Sequence, residues 1–302
     1  MKLLITGAWN ASKEQLREIE SLGHEIVWLQ QEQQMIPVPY EQIDGVICNG
    51  LFLYHPIEKF SSLKYIQLTS AGYDRVPVAY ARDNGICVYN ARGVYSIPMA
   101  EFALCGVLQL YKQSRVFTQR QEKCRWEKCR NLLELAGKNV CIVGCGSVGS
   151  ACAKRFDAFD CSVTGIDILP REDRYFDRIL QMEQLDEVLP DADIVVLTLP
   201  LTEETYHIID EIRLGRMKQG AILVNIARGA IIDTQALTTA LETHLGGAVL
   251  DVFEEEPLSG ESLLWQMDNV ILTPHNSFVG EGNGQRLWQL IQKNLKEWMR
   301  LR

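Results

Sequence analysis

Residues 138–167 constrain this chain more than any other stretch. An apolar run, Val140-Cys141-Ile142-Val143, meets Gly144-Cys145-Gly146-Ser147-Val148-Gly149, a G-x-G-x-x-G pattern without a gap. A helical stretch follows over 150–159, then a second strand-like run over 162–166. That run ends at Asp167, 18 positions beyond Gly149. The glycine pattern alone is a weak signal. Strand, glycine turn, helix, strand and acid in this order form the full context in which such a turn binds a dinucleotide. Gly144 permits the tight turn out of the strand. A side chain at Gly146 would block approach to a pyrophosphate, and Gly149 lets the helix pack close to the sheet. The free N–H groups at the helix start, with the helix dipole behind them, favour phosphate there. The plainer reading, a glycine-rich turn without a ligand, has to set that whole context aside.

Asp167 speaks to which dinucleotide. A carboxylate at the end of the second strand accepts hydrogen bonds from an adenosine ribose and repels a 2′-phosphate. Arg171, four residues on, can in principle bind such a phosphate, so the two side chains pull in opposite directions. With the acid in place the expectation is NAD rather than NADP.

At 302 residues the chain is too long for one ordinary core, and two domains are the natural expectation. The first should occupy 1–96 and be completed by 280–302. The nucleotide domain should occupy 97–279. Short apolar runs at 3–6, 25–28, 45–48, 65–68 and 86–89 alternate with helical stretches, the first of these at 13–22. Past Asp167 come 194–197, 221–225, 248–251 and 270–273. This alternation implies α/β domains with parallel sheets covered on both faces. The expected architecture is two doubly wound parallel-sheet domains, Rossmann-like or flavodoxin-like, with a cleft between them. A helical pattern over 97–121, with Pro98 in its first turn, should carry the chain from one domain to the other. Residues 119–134 are polar, with Trp126 exposed in the pattern, and read as an arm or surface loop. Leu287, Ile291, Leu295 and Trp298 mark one face of a C-terminal amphipathic helix.

The formal charge of −9 argues against a nucleic-acid partner. It also means that an anionic substrate must be drawn by a local positive site. Nine cysteines are scattered without a disulfide framework, which suggests free thiols in a reducing compartment and a cytoplasmic protein. Cys124 and Cys129 have no second pair or histidine to complete a metal site, so no metal is expected. Residues 1–6 are too short for a signal segment, and no apolar run approaches a membrane span.

Two loops follow strands in the first half, Thr69-Ser70-Ala71-Gly72-Tyr73-Asp74 and Asn90-Ala91-Arg92-Gly93-Val94-Tyr95. Ligands bind at the carboxyl ends of strands in such sheets, so each is either a site loop or an ordinary turn. Phe52 and Tyr54, also beyond a strand, either wall a pocket or pack plainly. In the second half Arg228, Glu256 and His275 each stand just past a strand end, on the edge that the glycine turn shares. Singly each has a bland reading; three matched placements make coincidence a poor account.

With these residues in view the chain resembles the D-isomer-specific 2-hydroxyacid dehydrogenases over nearly all of its length. The resemblance is carried by Leu135-Ala136-Gly137-Lys138, Leu199-Pro200-Leu201-Thr202 and Asn225-Ile226-Ala227-Arg228-Gly229. It continues through Asp251-Val252-Phe253-Glu254-Glu255-Glu256-Pro257-Leu258 and Thr273-Pro274-His275. It implies an NAD-dependent oxidoreductase interconverting a 2-oxo acid and a D-2-hydroxy acid, and a homodimer formed through the nucleotide domain. It puts the catalytic arginine, glutamate and histidine on Arg228, Glu256 and His275, the glutamate being the acid directly before proline. It extends cofactor contacts to Gly144, Gly146, Ser147, Val148, Gly149, Asp167, Thr198, Pro200, Thr205, Ala227 and Asp251. Asp251 matches the residue that holds the nicotinamide amide. The resemblance gives the substrate carboxylate to Arg228 and to the N–H groups near Ala71 and Gly72.

The chemistry suits the residue types. His275 can give a proton to the carbonyl oxygen and take it back in the oxidative direction. Glu256 beside it favours the imidazolium and fixes its tautomer. Arg228 can bind the carboxylate and polarise the carbonyl. After His275 the family often continues rich in glycine; here Asn276-Ser277-Phe278-Val279-Gly280 follows, so Phe278 is expected to shape the substrate pocket. Two other readings stand beside this one. One is an NAD(H)-binding regulator without turnover, which the intact trio weighs against. The other is a formate dehydrogenase relative, which would carry glutamine at the place of Glu256.

Overall fold

The computed structural model describes residues 1–300, so Leu301 and Arg302, the end of the expected C-terminal segment, lie outside the described residues. The chain divides into two compact units: Met1–Tyr95 with the segment from Gly280 onward, and Ser96–Val279.

Unit 1 starts with β1 (Lys2–Thr6), α1 (Lys13–Ser21), β2 (Glu25–Leu29), β3 (Gly45–Cys48), β4 (Tyr65–Leu68), α2 (Val78–Asp83) and β5 (Cys87–Tyr89). The strands form one parallel sheet in the order β2-β1-β3-β4-β5. Successive side chains of a strand point to opposite faces, and here both faces are covered. Leu4, Val46, Cys48, Ile66 and Leu68 pack into one core, and Leu3, Ile5, Ile47 and Tyr65 into the other. Phe52 belongs to the first core, edge-on to Phe60 at 5.9 Å, so it packs plainly; Tyr54 is exposed.

Unit 2 starts with α3 (Ser96–Tyr111) and α4 (Ser114–Glu122), where the sequence pattern implied one helix over 97–121. The break has a definite cause. The Tyr111 carbonyl, which a continuing helix would give to Arg115, accepts the N–H of Leu133 at 3.1 Å. Lys112 Nζ reaches the Leu133 carbonyl at 2.6 Å, and Gln113 turns into the left-handed region at φ 54°. The returning arm therefore ends α3. Residues 123–137 carry no regular element, and Trp126 is 99% exposed.

The glycine stretch then forms β6 (Asn139–Val143), α5 (Ser147–Asp157) and β7 (Ser162–Asp167). Beyond it lie β8 (Arg178–Gln181), α6 (Leu185–Val188), β9 (Ile194–Leu197), α7 (Glu211–Arg216), β10 (Ile222–Asn225), α8 (Thr234–Thr243), β11 (Gly247–Leu250) and β12 (Val270–Leu272). All pair in parallel, in the order β12-β11-β10-β9-β6-β7-β8. β8 had no reading from sequence. It is an edge strand of four residues with polar ends, Arg-Ile-Leu-Gln, too short and half-polar to stand out. Alternate residues again serve two cores: Val140, Ile142, Ile194 and Val196 face α3 and α5, while Cys141, Val143, Val195 and Leu197 face α8 and its neighbours.

The C-terminal helix α9 (Asn283–Arg300) belongs to unit 1. Its face of Leu287, Ile291, Leu295 and Trp298 is buried on Leu3, Ile5, Ile47 and Tyr65. Trp288 stacks on Trp9 at 5.5 Å, Asn294 Nδ2 donates to Gln67 at 2.8 Å, and Arg286 Nε donates to the Val94 carbonyl at 2.7 Å.

Candidate active site

The glycine turn is built as a phosphate cradle needs. Gly144 sits at φ +94°, and a Cβ there would lie 2.7 Å from the Leu199 nitrogen. A Cβ on Gly149 would collide with the Gly144 carbonyl, so both glycines are required by packing within the turn. Gly146 differs: nothing lies within 4 Å of a Cβ built on it, and as N-cap of α5 it makes no side-chain cap. The helix start therefore presents backbone donors and dipole towards open space, where an anion is favoured. Ser147 and Val148 lie half-buried beside it. The Thr198 hydroxyl donates to the Gly144 carbonyl at 2.5 Å and ties the end of β9 to the turn.

Asp167 ends β7. Its carboxylate accepts from the Cys145 N–H at 2.7 Å and the Leu169 N–H at 3.1 Å, which leaves lone pairs for ribose hydroxyls. Arg171 donates to the Cys145 carbonyl of the same turn. Pro200 is exposed and Ala227 buried. The Thr205 hydroxyl accepts from the Thr202 N–H at 2.7 Å and donates to the Pro200 carbonyl at 2.8 Å, closing its own loop. These residues fit a dinucleotide.

β10, β11 and β12 are neighbours, so the residues past their ends share one edge. After β10 the Asn225 side chain accepts from the Ala227 N–H at 3.0 Å and donates to the Arg228 carbonyl at 2.9 Å, shaping the turn that carries Arg228. Arg228 Nη1 donates to the Ala227 carbonyl at 2.8 Å. A side chain on Gly229 would run into the Phe253 carbonyl, so this turn lies directly on the loop after β11.

That loop sorts its three consecutive acids. Glu256 accepts from the Phe253 N–H at 3.1 Å through Oε1, and its Oε2 lies 2.9 Å from His275 Nδ1. Glu254 pairs instead with His207 and accepts from the Thr234 N–H at 3.2 Å. Glu255 is exposed. With Nδ1 of His275 engaged by a carboxylate, Nε2 is the ring nitrogen left for proton exchange.

Asp251 is the organiser that the sequence did not disclose. It is fully buried, at 0% exposure. Oδ1 accepts from the Thr273 hydroxyl at 2.6 Å and the Asn276 N–H at 2.7 Å, and Oδ2 accepts from the Ser277 N–H at 2.9 Å. Its carbonyl accepts the His275 N–H at 2.8 Å. The residues on both sides of His275 thus hang on one carboxylate, while His275 adopts φ 51°. The available signal was that Asp251 and Thr273 follow adjacent parallel strands.

A model of the D-isomer specific 2-hydroxyacid dehydrogenase family, NAD binding domain, matches residues 104–277. The chain belongs to that family. As a 2-hydroxyacid dehydrogenase it is 38% identical over 241 residues to a glyoxylate reductase of Thermofilum pendens, covering 78% of this chain and 71% of the relative. A family member from Aeromonas salmonicida superposes with a TM-score of 0.84 at 30% identity, over 99% of this chain and 95% of that one. The D-lactate dehydrogenase of Aquifex aeolicus, solved with NAD and lactic acid, superposes with a TM-score of 0.77 at 26% identity, over 99% and 96% of the two chains. The dehydrogenase is thus an oxidoreductase that uses NAD.

The other expected residues are placed as follows. Phe278 is exposed, with its ring edge-on to His275 at 6.1 Å. Ala71 and Gly72 lie in unit 1 on the loop after β4. The Ala71 carbonyl accepts from Asn90 Nδ2 at 2.5 Å and the Gly72 carbonyl from the Ser70 hydroxyl at 3.1 Å. Their own N–H groups make no hydrogen bond among the described residues. The nine cysteines are free, and no cluster of His, Cys, Asp or Glu able to hold a metal occurs among the described residues. No described helix is long and apolar enough to cross a membrane.

Proposed function

We propose that this dehydrogenase reduces a small anionic 2-oxo acid to the D-2-hydroxy acid, and runs the reverse oxidation, with His275 as the acid–base residue. NADH, when bound, supplies the hydride to the carbonyl carbon. His275 Nε2 gives the proton to the carbonyl oxygen and recovers it in oxidation. Glu256, held on Nδ1, fixes the tautomer and the orientation of the ring, leaving Nε2 to face the substrate. Arg228 binds the substrate carboxylate through its fork and draws charge from the carbonyl. Gly144, Gly146, Ser147, Val148 and Gly149 hold the pyrophosphate, and Asp167 the ribose. Thr198, Pro200, Thr205, Ala227 and Asp251 line the path to the nicotinamide.

The observation that carries this reading is the 2.9 Å contact of His275 with Glu256, on a turn that a buried carboxylate holds in place. A binding protein without turnover needs no such pair. The protein works as a homodimer through unit 2, whose arm exposes Trp126, Leu132 and Leu133, and sedimentation tests this. Free thiols throughout favour the cytoplasm.

The test of the mechanism is His275→Ala, assayed by NADH oxidation against a panel of 2-oxo acids. The expected loss in kcat is about 10²- to 10⁴-fold, with NADH affinity nearly unchanged. Wild-type turnover in the variant would end the mechanism.

A further inference from the structure

The loop that carries Glu256 holds a second histidine–carboxylate pair, which the proposed chemistry leaves unused. β9, β10 and β11 are neighbours in the unit 2 sheet, and His207 ties together the segments that follow them. It stands on the chain after β9. Its N–H donates to the Ala230 carbonyl at 2.9 Å, on the turn that carries Arg228, and nearby Ile209 bridges Ile232 in parallel. Its Nε2 meets Oε1 of Glu254, on the loop after β11. The other Glu254 oxygen accepts the Thr234 N–H at 3.2 Å, at the start of α8. Both oxygens of Glu254 are therefore committed. The Tyr206 ring stacks on the imidazole at 4.0 Å. His207 adopts φ 48°, a conformation uncommon outside glycine, so its backbone is held where the ring meets Glu254 rather than where a free chain would rest.

Glu254 lies inside a small ring that Glu256 closes. The Phe253 N–H donates to Glu256 Oε1 at 3.1 Å, so the direction of the Glu256 carboxylate depends on where the Phe253 backbone sits. Gly229 packs on that backbone: a Cβ on it would lie 1.8 Å from the Phe253 carbonyl carbon and 2.4 Å from the Glu254 nitrogen. This close approach bars movement towards the Arg228 turn, and the bonds of Glu254 to His207 and Thr234 resist movement away from it. The second Glu256 oxygen is then set 2.9 Å from His275 Nδ1. The side chains of His207 and Glu254 are 28% and 31% exposed, and a pair so open adds little stability. Its consequence is geometric.

We propose that His207 is a positioning residue for the reduction. Through Glu254 it holds the Phe253 N–H against the Glu256 carboxylate, so that Glu256 meets His275. This rests on the proposed function, in which Glu256 orients His275 for proton transfer.

The test follows NADH oxidation with the 2-oxo acid that wild type reduces fastest. His207→Phe keeps a ring on Tyr206 and removes the donor to Glu254; His207→Gln keeps a donor and removes the ring. His207→Phe should lower kcat by about 10- to 100-fold, the scale of a misplacement of up to about 1 Å. Its NADH affinity, from fluorescence titration, should stay within about twofold and its Tm within about 4 °C, because the lost contact is open to solvent. His207→Gln should recover most of kcat. Glu254→Ala should match His207→Phe, and the double variant should be no slower than either. In a Glu256→Ala background His207→Phe should cost nothing further, a result that general loosening of the unit would not give. Glu255→Ala removes the exposed acid between the two and should leave kcat alone. Wild-type kcat in His207→Phe would overturn the proposal. So would a His207→Gln as slow as His207→Phe, additive losses, an undiminished loss in the Glu256→Ala background, or an equal loss in Glu255→Ala. A fall in Tm or in NADH affinity large enough to account for the lost rate would do the same. In each of these cases turnover by wild type, lost in His275→Ala, would leave the proposed reaction standing. A wild type that reduces no 2-oxo acid would overturn both.

Discussion

Asp251→Asn should cost this protein both stability and catalysis. The carboxylate has no access to solvent, and its two oxygens accept three donors. An asparagine of the same shape can keep its oxygen on the Thr273 hydroxyl and the Asn276 N–H. Its NH₂ group then faces the Ser277 N–H, donor against donor, at a residue only 2% exposed. An unsatisfied buried donor costs about 1–3 kcal/mol, and the two surviving bonds lose their charge assistance, for a total of about 2–4 kcal/mol. For a unit of this size each kcal/mol lowers Tm by about 2–4 °C, so the fall should be about 5–15 °C by calorimetry. The other consequence is kinetic. His275 is held by the Asp251 carbonyl and flanked by the residues that its carboxylate binds. A loosened turn misplaces the imidazole, and misplacement by about 1 Å costs on the order of 100-fold in rate. Thr273→Val, which deletes only the 2.6 Å bond, should give a smaller effect of the same kind. If Asp251 acted only by holding the nicotinamide amide, Asp251→Asn would weaken NADH binding and leave Tm alone. That outcome would refute the argument from the His275 turn.

Three further outcomes follow from the geometry. Arg228→Lys should lower kcat/KM for every 2-oxo acid although the charge is kept, because the fork is lost; unchanged kinetics would remove Arg228 from the site. Asp167→Ser should raise NADPH use relative to NADH, since the repulsion of a 2′-phosphate goes. Because the Cys145 N–H loses its acceptor, NADH use should fall as well. His24 gives unit 1 a pH dependence: its ring is 6% exposed with neither nitrogen partnered, and burial lowers its pKa from 6.5. The folded state keeps it neutral while the unfolded chain protonates it. The stability is therefore fully present above about pH 6.5 and is lost as pH falls towards the folded pKa. His24→Leu should flatten the loss of Tm between pH 7 and 5, and an unchanged slope would assign the effect elsewhere.

Much of this molecule is written in local pattern. A strand buried on both faces has to be a short apolar run, and β6, β9 and β10 were legible for that reason. A turn that must approach phosphate and pack on Leu199 admits only glycine, so Gly144, Gly146 and Gly149 announce the nucleotide site before any fold is known. That Arg228, Glu256 and His275 stand on one edge was legible because strand ends in a parallel sheet share it.

What the local pattern could not decide depended on partners distant in sequence. The single helix over 97–121 breaks because Leu133 returns to take the Tyr111 carbonyl. β8 is a strand because β7 beside it offers a ladder, not because Arg-Ile-Leu-Gln is strand-like. Three adjacent glutamates are chemically alike until the fold sets His275 beside Glu256 and His207 beside Glu254. Asp251 looked like a cofactor ligand by resemblance. Only the pairing of β11 with β12 brought Thr273, Asn276 and Ser277 onto its carboxylate. A residue's type is a property of one position, whereas a buried charge takes its role from the donors that the tertiary structure brings to it.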